Sequence, residues 1–127
     1  MNILTHEKID RNLCGRPLAL EEGVSRVELN TTANMQVDEF GLVHGGFVFG
    51  LADHAAMIAV NHPNVVLGGA EVKFLKPIQA GETLVADARV ESVSGKKHSV
   101  IVTVRRGEET VFSGTFACFV LEKHVLC

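Results

Sequence analysis

Val43-His44-Gly45-Gly46-Phe47-Val48-Phe49-Gly50-Leu51-Ala52-Asp53-His54-Ala55-Ala56-Met57-Ile58-Ala59-Val60-Asn61 is the stretch on which the rest of the chain turns. From Gly46 to Asn61 it reads as one helix, with no proline before Pro63. A helix of that length spans roughly 24 Å, about the width of a small domain. Phe47, Val48, Phe49, Leu51, Met57, Ile58 and Val60 go all the way round it, the pattern of a helix buried on every side. Gly50, Ala52, Ala55, Ala56 and Ala59 are small enough to let a sheet or another helix approach closely.

Two features do not fit a purely structural helix. Its start, His44-Gly45-Gly46, has none of the Ser, Thr, Asp or Asn side chains that usually satisfy the first-turn N–H groups. Bare N–H groups and the positive end of the helix dipole are therefore free to meet a ligand oxygen. The second feature is Asp53, whose helical neighbours Phe49, Gly50, Ala56 and Met57 include no cation. A buried carboxylate without a local partner is costly, so it needs a distant partner, water or a task. A glycine pair is often only a turn, and a core Asp can be held by a backbone N–H from elsewhere. Together, with His44 alongside, the two features point to a site.

At 127 residues the chain reads as one domain, residues 1–127, with residues 1–22 as an N-terminal extension. Apolar residues make up 46% and charged ones 21%, as in soluble globular proteins. No run approaches the roughly 20 apolar residues of a membrane span, and the polar start does not read as a signal peptide. A net charge of −3 argues against nucleic acid as a partner. Cys14, Cys118 and Cys127 form no metal-ligand motif and fit a reducing cytoplasm, and neither metal nor cofactor is expected.

Along the chain, Ile3, Leu4, Ile9 and Leu13 suggest a short helix, with Thr5 as its cap. Val24 to Val37 reads as a first strand, and Asp38 to Val43 as a loop leading to the central helix. Pro63 ends the helix. Four strands follow: 65–76, 83–93, 98–105 and 110–121. Ser94-Gly95-Lys96 is a hairpin turn, and Leu84, Ala86, Ala88 and Val90 alternate cleanly with charged residues. One strand, a long helix and a run of antiparallel strands must bury that helix against one sheet face. A helix apolar all round needs a second cover, most simply another copy of the chain.

Asp38-x-x-Gly41-x-x-His44-Gly45-Gly46 followed by Leu51-x-Asp53 resembles the signature of hotdog-fold acyl-CoA thioesterases of the phenylacetate-pathway and 4-hydroxybenzoyl-CoA thioesterase types. Glu71 to Leu84 is similar to that family's post-helix strand and turn, and Gly114 to Phe119 to its last strand. The resemblance covers about residues 24 to 121. It implies an α+β hotdog fold, an antiparallel sheet wrapped around a long central helix, built as a homodimer with a dimer of dimers left open. It also implies an acyl-CoA substrate, whose coenzyme A moiety is part of the substrate and not a cofactor.

Thioester hydrolysis needs stabilisation of the carbonyl oxygen and an activated water or nucleophile. Gly45 and Gly46 suit the first task, and Asp53 the second, as base or as nucleophile. Asp53 lies roughly 12 Å along the helix from Gly45, too far to share one carbonyl. The resemblance implies that the acid of one subunit faces the glycine turn of the other. His44 is a candidate to orient the thioester or to bond Asp38. Asp38 itself stands where the family commonly has Asn, which leaves it either a substrate contact or a loop-shaping residue. His54 stands where a small Ser or Thr is usual and reads as a core or interface histidine. Lys73, Lys76, Lys96 and Lys97, with Arg105 and Arg106, are candidates for the nucleotide phosphates, the hairpin pair Lys96 and Lys97 foremost. Two other functions compete: an acyl-CoA-binding or sensor protein without catalysis, and a hotdog hydratase or dehydratase, for which the paired acid and base are not evident.

Overall fold

The computed structural model describes residues 1–127. Its elements are α1 (Arg11–Cys14), β1 (Arg16–Glu21), β2 (Val24–Asn30), a 3-10 turn (Ala33–Met35), α2 (Gly45–Val60), β3 (Val65–Phe74), β4 (Thr83–Ser94), β5 (Lys97–Arg106) and β6 (Glu109–Val120). The strands form one antiparallel sheet in the order β1-β2-β4-β5-β6-β3, with α2 packed on one face. This is the α+β hotdog fold. No helix is long and apolar enough to cross a membrane.

The alternation read in the sequence sets the two faces of the sheet. Leu84, Ala86 and Ala88 of β4 and Val100, Val102 and Val104 of β5 are buried in the core with α2. On the opposite face Asp87 takes Arg26 at 2.7 Å and Arg105 at 2.6 Å. The helix is also fastened to the sheet: the Ser25 hydroxyl donates to the Ala55 carbonyl at 2.6 Å, and Ser25 is fully buried.

α2 begins and ends one residue earlier than the sequence spacing suggests. Asn61 stops it in the left-handed conformation (φ 53°), which asparagine tolerates better than most residues, and its N–H returns to the Met57 carbonyl. Its side chain also reaches the N-terminal segment, accepting from Leu4 N–H and donating to the Asn2 carbonyl, both at 2.8 Å.

The N-terminal region differs most from expectation. No helix runs through residues 3–13; His6 has φ 56°, which a helix does not accept. The short α1 is instead capped by Asp10, whose carboxylate accepts from Asn12 and Leu13 N–H. Residues 16–21, counted as extension, are an edge strand paired to β2, irregular between Pro17 and Ala19. The strand expected over 24–37 stops at Asn30, and the 3-10 turn Ala33–Met35 follows it.

The second cover for α2 comes in part from the same chain. Residues 2–15 lie over it, and nine of its sixteen residues are buried. What stays open is one narrow face, with Gly46 exposed and Phe49, Gly50 and Asp53 half-buried.

Candidate active site

Backbone hydrogen bonds fix the entry to α2 before any side chain acts there. Val43 N–H donates to Ile78 and His44 N–H to Met35, at 2.8 and 2.9 Å. The loop ahead is shaped by Asp38, whose carboxylate accepts from Phe40 and Leu42 N–H, with Gly41 at φ 85° completing the turn. Asp38 is therefore engaged with its own loop and makes no hydrogen bond to His44.

His44 occupies the N-cap position but its side chain caps nothing. Neither Gly45 N–H nor Gly46 N–H is taken by a carbonyl of the chain, so both remain free at the positive end of the helix. The His44 ring folds over Gly46: a Cβ there would stand 2.9 Å from the imidazole. Phe74 closes on Gly45 from the other side, its ring 3.1 Å from where a Cβ would be. Beside Gly45 lies an apolar cavity of about 290 Å³ walled by Val43, Val48, Phe74, Leu75 and Ile78, with Lys76 among its lining residues.

Asp53 sits two turns further on, as half-buried as Phe49 and Gly50 on the same face. Its Oδ1 is buried without a hydrogen-bond partner, and burial pushes the carboxyl up to about 6. The Cys118 thiol is pushed up to about 12, by burial first and by the Asp53 charge second. Cys14 is raised by burial, then by Asp10 and Asp53. His54, beside Asp53 in sequence, is buried at 2% exposure and turned toward the N-terminal segment. Its Nδ1–H donates to the Cys14 carbonyl at 3.0 Å, and burial holds its pKa below the usual value.

One chain brings together His44, Gly45, Gly46 and Lys76. It does not bring Asp53 to the glycine N–H groups, in keeping with their spacing on one helix. Lys73 lies on the outer face of the sheet with Ile101, Ser113 and Thr115. Lys96 and Lys97 are at the far end of it: Lys97 stands opposite Phe119, roughly 26 Å along β5 from Arg105. Arg105 is paired with Asp87, and Arg106 with Glu82, Glu109 and the Pro77 carbonyl. Sequence reasoning missed Phe74 and Cys14. Both reach α2 through contacts between residues far apart in the chain, which no local pattern announces.

Over 116 residues the chain is 51% identical to methylthioribose-1-phosphate isomerase of Aquifex aeolicus, covering 91% of this chain and 25% of that protein. It is 29% identical over 113 residues to transcription factor FapR of Caldanaerobacter subterraneus, covering 88% and 56%. The chain thus spans a quarter to about half the length of these curated relatives. Among solved structures, protein PH1136 of Pyrococcus horikoshii is 55% identical with a TM-score of 0.99, covering 100% of this chain and 98% of that one. The PaaI protein of the E. coli phenylacetic acid degradation operon shares the fold, with a TM-score of 0.83 at 24% identity over 94% and 88% of the chains. Residues 40–113 match the thioesterase superfamily, a span that holds the bare start of α2, Asp53 and the strands around them. With more than half of its length so matched, the chain belongs to the thioesterase superfamily.

Proposed function

We propose that the protein is an acyl-CoA thioesterase acting on a small or medium acyl- or aryl-CoA. The observation that carries this reading is Asp53, a carboxyl group inside an apolar helix with one oxygen buried and unpartnered. Fixed to no neighbour and poised near neutral pH, it suits a general base or a nucleophile. The free Gly45 and Gly46 N–H groups would receive the carbonyl oxygen, and the apolar cavity beside Gly45 would take an uncharged part of the substrate. Because Asp53 and Gly45 are separated along one helix, the working site would join the Asp53 of one copy to the Gly45 of another. A homodimer is then a condition of activity, with the unpaired outer edge of β3 available for pairing.

Thiol release measured across short, medium, long and aryl acyl-CoAs, for the wild type and Asp53→Asn, tests this reading. It requires hydrolysis by the wild type and its loss in the variant. Sedimentation showing a stable, active monomer would refute the shared site. The similarity to a transcription factor favours a second reading, in which the protein binds acyl-CoA without hydrolysing it. Tight binding of acyl-CoA with no thiol release would establish that one instead.

A further inference from the structure

The N-terminal segment does more than lengthen the chain. It crosses α2 where Asp53 lies, and three contacts hold it there. The His54 Nδ1–H donates to the Cys14 carbonyl at 3.0 Å. The His6 ring lies parallel to that of His54, centroids 6.4 Å apart, and the Thr5 hydroxyl meets His6 Nδ1 at 2.8 Å. The Cys14 sulfur packs 3.9 Å from where Gly50 would carry a Cβ. Gly50 and Asp53 are three residues apart on one helix face, so the residue that covers Gly50 also borders Asp53. A Cβ at position 50 would meet the Cys14 sulfur at ordinary contact distance, so a side chain larger than alanine there would press on Cys14.

We propose that residues 2–15 form one wall of the Asp53 site, and that His54, through its hydrogen bond to the Cys14 carbonyl, is the positioning residue that keeps this wall closed. Its catalytic meaning rests on reading Asp53 as the reactive carboxyl. His54 touches no substrate in this arrangement. It excludes water from one side of Asp53, and that exclusion keeps the carboxyl protonated to higher pH than an open one. The titratable and charged groups around the contact are His6, Asp10, Arg11 and Cys14 from the N-terminal segment, Asp53 beside His54 on α2, and Cys118 on β6.

The test uses the full chain carrying Cys127→Ser, so that Cys14 is the reactive thiol, and compares His54→Leu with His54→Asn. Leucine fills space but donates nothing; asparagine places an N–H near the Nδ1 position. The readouts are the Asp53 carboxyl titration by carbon-13 NMR and the rate of Cys14 alkylation by iodoacetamide. In His54→Leu the Asp53 midpoint should fall from about 6 toward the usual carboxylate value near 4, and alkylation should speed at least tenfold. His54→Asn should stay close to the parent in both. If His54→Leu does not fold, Gly50→Val pushes on Cys14 from one helical turn earlier on α2 and should produce the same two changes. Unchanged titration and alkylation in the folded variant, or His54→Asn failing as fully as His54→Leu, would overturn the proposal. Neither readout needs substrate, so a wild type that hydrolyses no thioester would sink the thioesterase reading and leave this one testable.

Discussion

The imidazole of His44 stands over Gly46 at 2.9 Å from the position a Cβ would take, so the free N–H groups at the start of α2 are covered on one side by a ring that fits only glycine. Gly46→Ala should therefore displace His44 without unfolding the helix, since alanine is intrinsically the better helix former by about 1 kcal/mol. The expected outcome is an unchanged or higher Tm with thioester hydrolysis reduced about tenfold or more. Calorimetry and thiol release on the same preparation check it.

Asp53→Asn should separate stability from chemistry. A carboxyl raised to about 6 in the folded chain holds its proton where the unfolded chain has lost it. Its favourable contribution is present below the unfolded value near 4 and is lost as pH rises through 6. Above pH 6 the buried charge is a cost of about 1–2 kcal/mol after allowance for its partial exposure, which asparagine removes. The variant should melt roughly 3–8 °C higher than wild type at pH 8, with the advantage gone by about pH 4. Turnover should fall by about 10²–10⁴. A melting series across pH, alongside kinetics, tests both halves.

Burial holds His6 and His54 below the usual histidine value; the His54 charge lowers His6 further, and the Arg11 charge lowers His54. Groups depressed in this way stabilise the fold above about pH 6.5 and lose that contribution as pH falls. Protection of the amides in residues 2–15, taken relative to their intrinsic exchange rate at each pH, should fall on acidification from pH 7 to pH 5, ahead of protection in β4 and β5.

Lys76, not the hairpin pair Lys96 and Lys97, is the cation placed at the cavity beside Gly45, and it is in no ion pair. Lys76→Ala should raise KM for an acyl-CoA about three- to tenfold and leave a pantetheine thioester lacking the nucleotide nearly unaffected. Lys96→Ala with Lys97→Ala should act on KM only where a second copy carries the hairpin to the site. Equal losses on both substrates in Lys76→Ala would rule out phosphate contact.

Ser25→Ala should cost about 1–2 kcal/mol, because it removes the buried hydroxyl that ties β2 to the Ala55 carbonyl of α2. Denaturant unfolding with an unchanged slope and a lower midpoint is the expected result.

The sheet and central helix were legible in the sequence because their burial is periodic. Leu84, Ala86 and Ala88 on β4, and Val100, Val102 and Val104 on β5, keep strict alternation, and the run from Phe47 to Val60 keeps neither alternation nor a single stripe. The candidate residues at the bare helix start and at Asp53 stood out for the converse reason, as violations of capping and burial rules. The N-terminal segment was illegible. Its apolar residues suggest a helix, but what places it are long-range bonds: Asn61 to Asn2 and Leu4, and His54 to Cys14. The edge strand β1 was hidden by Pro17 and an irregular register.

The strand order has a consequence for how the molecule is made. β3 is synthesised directly after α2, yet its only neighbour in the sheet is β6, with Val65 opposite Val120. On the ribosome, β3 must wait through the whole of β4 and β5 with its backbone unpaired. Closing so long a loop comes late and slowly, and an interrupted chain would expose a ten-residue strand with an unpaired backbone to any other strand nearby. Translation pauses between β3 and β6 are therefore the moment when this protein is most open to aggregation, and when a chaperone would find the most to hold.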